Sequence, residues 1–245
     1  MQDFLENFAD IREPELELSW KRSGLIVGML SIGTLFGALA SAPIANQPRI
    51  GRKRSIWIWC IVFIIGNIIQ AASKYPRWYE MMVGRIIAGA GIGGMSVLVP
   101  MYQGESAPTH VRGAIVCCYQ LFITIGILLA NLVNFGTEKI PGSASWQIPI
   151  GISFLFPLVL SAGMLILPET PRFEYSHGKV DSARTSIARF YGVGENHRVI
   201  NNHMNELEEK HAAEIEGGER PWSEVFTAPR MRYRLLLGIF IQAVS

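Results

Sequence analysis

Residues 99–113 read VPMYQGESAPTHVRG, a polar segment with two prolines that separates two long apolar runs. An α-helix rises about 1.5 Å per residue, so about twenty apolar residues cross a hydrocarbon layer of about 30 Å. A polar segment between two such runs is typical of a loop at a membrane surface. The stretch therefore predicts two membrane-spanning helices and the connection between them.

Five apolar runs of this length occur along the 245 residues, and most of the charged residues lie between them. The chain is 49% apolar and 17% charged, with a mean hydropathy of +0.26. About a quarter of the residues are charged in a soluble domain, and five helices that are apolar all round leave too little polar surface for one. The sequence predicts an all-α membrane protein with spans at residues 23–45, 55–72, 81–99, 113–133 and 149–167.

The basic residues indicate which side of the membrane each connection faces. Four of them, Arg49, Arg52, Lys53 and Arg54, follow the first run, whereas the connection after the second run is poorer in Lys and Arg and residues 1–20 are acidic. Short cytoplasmic loops carry the Lys and Arg excess. We predict that residues 1–22, 73–77 and 137–146 are external and that residues 49–54, 99–113 and 168–234 are cytoplasmic.

The predicted external start has no apolar leader that would export it. We therefore expect a middle piece of a longer protein. In this interpretation residues 1–22 follow a missing first span, residues 23–167 form five spans of an N-terminal half, residues 168–234 form a cytoplasmic helical domain, and residues 235–245 begin the next span.

Residues 168–234 predict amphipathic helices rather than a linker, because apolar residues recur there at spacings of three and four. Residues 221–226 predict a further short helical turn. The two apolar stripes are Val180, Ala183, Ile187 and Phe190, and Ile200, Met204 and Leu207.

Several function classes are excluded by residue content. The three cysteines, Cys60, Cys117 and Cys118, all lie within apolar runs, and no ligand spacing for a metal is present. The net charge of +2 does not indicate nucleic-acid binding. No nucleophile and base are combined in the polar stretch, so we predict no enzyme activity and no cofactor.

Five motifs in this order resemble the sugar porter family of the major facilitator superfamily, and especially fungal hexose transporters. They are GRKR at 51–54, GRIIAGAGIGG at 84–94, PMYQGESAPTHVRG at 100–113, QLFITIGILLAN at 120–131 and PETPRF at 168–173.

The resemblance implies a partial major facilitator fold in which the five spans are the second to sixth of twelve. It implies transport of a monosaccharide, a hexose such as glucose, by alternating access, with a non-transporting sugar sensor of the same fold as the alternative. The implied location is the plasma membrane. The implied partners are the sugar, the lipid bilayer, protons in coupled members, and the missing first span and C-terminal half.

Gln120 is the main candidate for binding substrate, because an amide both donates and accepts hydrogen bonds, as sugar hydroxyls do. The residues alone leave open that it bonds to a neighbouring helix. The family's sugar-binding glutamine matches this position, and Ile123 matches an apolar wall beside it. Asn131 is a further candidate, and weaker ones are Asn134, Phe122, Phe154 and Phe156.

Arg85 lies within a span, where an arginine requires a partner or must extend to the interface. In coupled family members the matching arginine lies near an acid of the first span. The glycines and alanines around it, between residues 84 and 94, predict close helix packing.

The prolines Pro100 and Pro108 are predicted to end one helix before the next begins at Gly113. Opposite charges are predicted on the cytoplasmic side, in the connection at residues 49–54, in the connection at residues 99–113 and in PETPR at residues 168–172. We expect an inner latch that stabilises an outward-facing state and contains Glu105, Arg112, Glu169, Arg172 and Arg52, with Lys53 beside it.

Three positions depart from the family pattern. The usual acid before the basic motif is replaced by Asn46 or Pro48, and the arginine after Trp146 is Gln147. The usual glutamine of the last complete span is Ser153, a change that we expect to affect sugar selectivity.

Overall fold

The computed structural model describes residues 19–73, 78–108, 110–140 and 142–216, with residues 231, 233, 236–238 and 240. The predicted turn at 221–226 and most of the run from 235 onward lie outside these residues. The described helices are α1 (Trp20–Ala45), α2 (Gly51–Ala72), α3 (Trp78–Ser106), α4 (Arg112–Thr137), α5 (Ala144–Ser153), α6 (Leu155–Ile166), α7 (Pro171–Ser176), α8 (Val180–Tyr191) and α9 (Arg198–Glu216).

Five membrane spans are confirmed within the described residues. The helices α1 to α4 are each long and apolar enough to cross a bilayer, and α5 with α6 forms a fifth candidate of 23 residues. The fifth span is interrupted at Phe154. Pro157 lies four residues after Ser153 and has no N–H, so the carbonyl of Ser153 cannot receive the usual helical hydrogen bond.

The prediction that Pro100 ends a helix is wrong. Helix α3 continues through Pro100 for six more residues and ends at Ser106. A proline removes one donor from the helical ladder, and neighbouring helices can accommodate such a defect within a membrane protein. Glu105 therefore lies on the last turn of α3 rather than in a loop.

Helix α3 packs between α1 and α2, and its glycines allow this on both sides. A Cβ on Gly89 would lie 3.2 Å from the backbone nitrogen of Thr34 in α1, and one on Gly93 would also overlap Thr34. On the other side, a Cβ on Gly94 would overlap the ring of Trp59 in α2, lying 2.5 Å from its Cε2. Close backbone approach of this kind holds helices together in lipid, so the predicted packing role of residues 84–94 is confirmed.

Within the described residues, one buried cluster lies where α1, α2, α3 and α6 meet. It includes Ile56 and Trp59 from α2, Leu98 and Tyr102 from α3, and Met164 from α6. These contacts bring the start of α2 close to the ends of α3 and α6. The charged residues at these helix ends are thereby placed side by side.

The predicted amphipathic helices are confirmed as α8 and α9. In α8 the apolar residues Ala183 and Ile187 are buried, and the helix ends at Gly192, whose φ of +65° suits glycine. The chain divides into two compact units, Met1–Glu195 and Asn196–Ser245. Helices α7 and α8 belong to the first unit with the five spans, and α9 belongs to the second.

Candidate functional site

Arg52 joins three helices at one end of the bundle. Its Nε donates to Glu105 Oε2 at 3.3 Å, and its Nη1 donates to the carbonyl of Ala45, the last residue of α1, at 2.9 Å. The side chains of Arg52 and Glu105 are only 10% and 8% exposed. The guanidinium also lies 5.0 Å from the ring centre of Phe173 in α7. Arg52, Lys53, Glu105, Glu169 and Phe173 are called the Arg52 cluster below.

Glu169 caps the N-terminus of α2. Its carboxylate accepts backbone N–H bonds from Arg52 at 3.2 Å and from Lys53 at 3.1 Å, and another from Thr170 at 3.0 Å. The first N–H groups of a helix have no partner within the helix, and the helix dipole favours negative charge there. A carboxylate supplied from the end of the fifth span therefore satisfies α2 from outside.

Gly51 is required by this capping arrangement. Its φ is +74°, which glycine adopts without strain. A Cβ there would lie 2.5 Å from Glu169 Oε2 and 2.9 Å from Phe173 Cε1. In the sequence, Gly51 stands out only as the first residue of the GRKR motif.

Lys53 and Tyr102 complete the link to the fifth span. The Nζ of Lys53 donates to the carbonyls of Leu165 and Leu167 at 3.3 and 2.7 Å. The hydroxyl of Tyr102 donates to the carbonyl of Pro168 at 2.6 Å. The free carbonyls at the end of α6 thus receive donors from α2, while Glu169 caps α2 in return.

Arg112 and Arg172 occupy different places from Arg52. Arg112 is oriented toward the end of α3, where its Nη2 lies 3.5 Å from the carbonyl of Ala107. Among the described residues no ion pair joins it to Glu105, because Arg52 already faces that carboxylate. Arg172 lies exposed in the first turn of α7.

Glu174 is a further carboxylate, close enough to Glu169 of the cluster to be affected by its charge. It accepts a bond of 2.6 Å from Ser186 Oγ, which joins α7 to α8. Burial raises the pKa of the Glu174 carboxyl, and the charge of Glu169 raises it further. The Ser186 hydrogen bond and the Lys179 charge lower that pKa, without cancelling the rise.

The candidate substrate residues lie on one stripe of α4. At about 100° per residue, Gln120, Thr124, Asn131 and Asn134 fall within an arc of about 80°. All four are exposed, and no described residue hydrogen-bonds the Gln120 side chain. Thr124 was missed in the sequence analysis, although its spacing of four from Gln120 is the signal that would have found it.

The groups on this stripe keep bonding capacity. Asn131 Nδ2 donates to the carbonyl of Ile127 at 2.9 Å, which leaves its side-chain oxygen available. Ile123 is also exposed on α4, next to the stripe. A cavity of about 120 Å³ lies between α4 and the fifth span. Most of the residues that line it are apolar, such as Phe156, and its polar lining residues are Asn134 and Ser153. Its apolar lining does not suit a sugar, so the stripe is the better candidate.

Arg85 is half-buried in α3. Its Nε is enclosed and has no hydrogen-bond partner among the described residues. A buried guanidinium nitrogen without a partner is unfavourable in a membrane protein. The Nε of Arg85 is therefore left without a hydrogen-bond partner by the helices as described.

Ser153 forms a bond that the sequence did not predict. Its Oγ accepts from Asn67 Nδ2 at 2.7 Å and donates to the carbonyl of Ile150 at 2.6 Å. Both hydroxyl functions are used for helix contacts. The expected effect of Ser153 on sugar selectivity stays a prediction.

Comparisons with known proteins agree along the whole chain. A family model described as "Sugar (and other) transporter" matches residues 1–245. A high-affinity fructose transporter of Schizosaccharomyces pombe is 40% identical over 248 residues, covering 99% of this chain and 46% of its own length. A low-affinity glucose transporter of Saccharomyces cerevisiae is 38% identical over 245 residues, covering 99% and 43%.

Solved structures show the same fold. The partially occluded inward-open xylose transporter XylE from E. coli has a TM-score of 0.70 at 25% identity, over 78% of this chain and 49% of that chain. A second structure, described as a proton:xylose symporter bound to 6-bromo-6-deoxy-D-glucose, has a TM-score of 0.64 at 25% identity, over 78% and 42%. The chain thus spans about half the length of the relatives it matches.

Proposed function

Because this chain belongs to the sugar transporter family, we propose that its full-length gene product moves a monosaccharide across the membrane by alternating access. The substrate class is a hexose such as glucose or fructose, as the names of the yeast relatives indicate. These relatives are transporters rather than enzymes. In alternating access, two halves move about a site near the middle of the bilayer.

The observation that carries the proposal is the polar stripe of α4. Helix α4 is long and apolar enough to span a membrane, and no residue of its membrane window is buried among the described helices. Four polar residues nevertheless share one of its faces: Gln120, Thr124, Asn131 and Asn134. Polar groups at membrane depth face a protein partner or a water-filled path. The substrate pathway therefore runs along this face, with Gln120 and Asn131 hydrogen-bonding sugar hydroxyls and Ile123 packing against the ring.

Sugar uptake tests this assignment in cells that lack their own hexose uptake and express the full-length gene product. Gln120→Ala removes a hydrogen bond worth about 0.5–1.5 kcal/mol, so the apparent KM should rise by about twofold to twelvefold with the amount of protein unchanged. Ile125→Ala is the control, because Ile125 is exposed on α4 about 140° away from Gln120. An uptake curve for Gln120→Ala identical to that of the wild type would return Gln120 to a packing role.

Arg85 is assigned to coupling. Its enclosed Nε has no described partner, and an arginine at this depth favours an acidic one. Protons are the proposed coupling ion, since the structurally similar xylose transporter is described as a proton symporter. The plasma membrane is the proposed location.

The Arg52 cluster is assigned to an inner latch that stabilises the outward-facing state. The supporting contact is the buried pair of Arg52 and Glu105. Arg112 and Arg172 lie at neighbouring helix ends and are proposed as further members of the latch. Lys53 and Glu169 join α2 to the fifth span beside it. A bias of a few kcal/mol between two states is enough to shift their populations strongly.

Glu105→Gln in the full-length gene product tests the latch. The substitution removes the charge of Glu105 but keeps the shape of its side chain. Cysteines introduced at the cytoplasmic opening of the transport path should therefore react faster with a thiol reagent, and the rate of sugar transport should fall. Glu138→Gln, a charge removal just after α4, is the control. Unchanged cysteine reactivity in Glu105→Gln would eliminate the latch assignment.

A further inference from the structure

A buried ladder of polar side chains joins α2, α3 and α5. Asn67 and Gln70 are only 5% and 7% exposed. Asn67 Nδ2 donates to Ser153 Oγ at 2.7 Å, and Gln70 Nε2 lies 3.4 Å from Asn67 Oδ1. The same Nε2 lies 3.3 Å from the carbonyl oxygen of Gly84 in α3. The ladder therefore runs from the end of α5, through one face of α2, to the backbone of α3.

The ladder ends directly beside Arg85. Gly84 is the preceding residue, and α2 and α3 are in backbone contact there. A Cβ on Gly84 would lie 2.7 Å from Gln70 Cγ and 3.0 Å from the carbonyl oxygen of Gly66. Close packing and a hydrogen bond thus act on the same turn of α3, and they fix the position from which the Arg85 side chain extends.

Helix packing alone does not require these polar groups. Small residues already allow α2 and α3 to approach, and an amide in a membrane span is unfavourable unless it is bonded. Each amide here is bonded to a partner on another helix. Such bonds contribute orientation, since a side-chain hydrogen bond is directional whereas apolar contact is not.

We propose that Gln70, Asn67 and Ser153 are positioning residues that aim Arg85 for coupled transport. The inference rests on the proposed function, in which Arg85 is the coupling group. Gln70 holds the Gly84 turn directly, Asn67 orients the Gln70 amide, and Ser153 anchors Asn67 to the fifth span beside its interruption at Phe154. Movement of the fifth span is thereby transmitted to Arg85.

The first test measures sugar uptake against pH in proteoliposomes with the full-length gene product. Gln70→Met keeps the length of the side chain and removes its hydrogen bonds. Interhelical bonds of this kind are worth enough to change a rate by about threefold to tenfold. We expect kcat to fall by that factor, the sugar KM to change less, and the pH profile to shift toward that of Arg85→Gln. Gln147→Met, an exposed glutamine of α5, is the control.

The second test does not depend on transport. Phenylglyoxal reacts with arginine, and mass spectrometry of the peptide that contains Arg85 reports its reactivity. We expect the reactivity to change by about threefold or more in Gln70→Met and by less in Ser153→Ala, which leaves the bond from Gln70 to Gly84 in place. If Arg85 reactivity in Gln70→Met equals that of the wild type, the positioning role is refuted.

The two tests separate the two proposals. Absence of sugar flux in the wild type would overturn the transport function while the labelling test still decides the role of Gln70. Normal flux with a pH profile of Gln70→Met identical to that of the wild type would overturn the positioning role alone. A loss of flux that only follows a loss of thermal stability would also count against it.

Discussion

Removing the cap that Glu169 places on α2 should destabilise the bundle in graded steps. The carboxylate receives the backbone N–H groups of Arg52, Lys53 and Thr170. In Glu169→Gln one oxygen acceptor remains, so the loss is mainly the interaction of charge with the helix dipole, about 0.3–1 kcal/mol. In Glu169→Ala the charged acceptor is absent, and the loss should be about 2–3 kcal/mol.

Thermal stability of the purified full-length gene product measures these steps. We expect the order wild type, Glu169→Gln, Glu169→Ala, from most to least stable, with Glu138→Ala unchanged as the control. Amide hydrogen exchange gives a local readout, because the N–H groups of Arg52 and Lys53 should exchange faster in Glu169→Ala. Equal stability and equal exchange in wild type and Glu169→Ala would refute the capping argument.

Two further perturbations follow from packing and from charge. Gly93→Ala would place a Cβ 2.8 Å from Thr34 Cα, so the free energy of unfolding should fall by about 1–3 kcal/mol. Gly104→Ala is the control on the same helix: its Cβ would meet nothing within 4 Å, so the variant should be neutral or stabilising. Equal effects of the two substitutions would contradict the packing role of Gly93. The second perturbation concerns Glu174, whose raised pKa means that the folded protein favours the protonated carboxyl. The protonated carboxyl stabilises the fold at low pH, and this stabilisation is lost as pH rises from the ordinary carboxyl pKa up to the raised pKa. Glu174→Gln keeps an acceptor for Ser186 and should be more stable than the wild type at neutral pH, with the difference disappearing below about pH 4; melting curves that show a pH-independent difference would argue against this.

The fold was largely predictable because its signals are local in sequence. Apolar runs of sufficient length must be helices in lipid, and the glycines of residues 84–94 indicated the close packing of α3. Five motifs then indicated the family, which the match over residues 1–245 confirms. None of these steps required knowledge of which side chains meet.

The ends of the helices were less predictable. Pro100 was expected to stop α3, but surrounding helices support the chain for six more residues. That extension places Glu105 against Arg52, 53 positions away in sequence. The capping of α2 by Glu169 spans a separation of 117 positions and leaves no local pattern.

The polar ladder was missed for a related reason. Asn67 and Gln70 are single polar residues in an apolar run, and their partners Ser153 and Gly84 lie on other helices. The spacing of three between the two amides was visible, but only the packing of α2 against α3 and α5 shows that both are bonded. Ser153 was noted as a departure from the family pattern without its partner being identified.

Counterflow in proteoliposomes is the most direct measurement of whether this protein carries a hexose by alternating access. Vesicles that contain the purified full-length gene product are loaded with unlabelled D-glucose and diluted into labelled D-glucose or D-fructose. We expect saturable, transient accumulation of label for at least one of these hexoses, none for L-glucose, and a weaker response in Gln120→Ala. Binding of a hexose without any counterflow would contradict transport by alternating access.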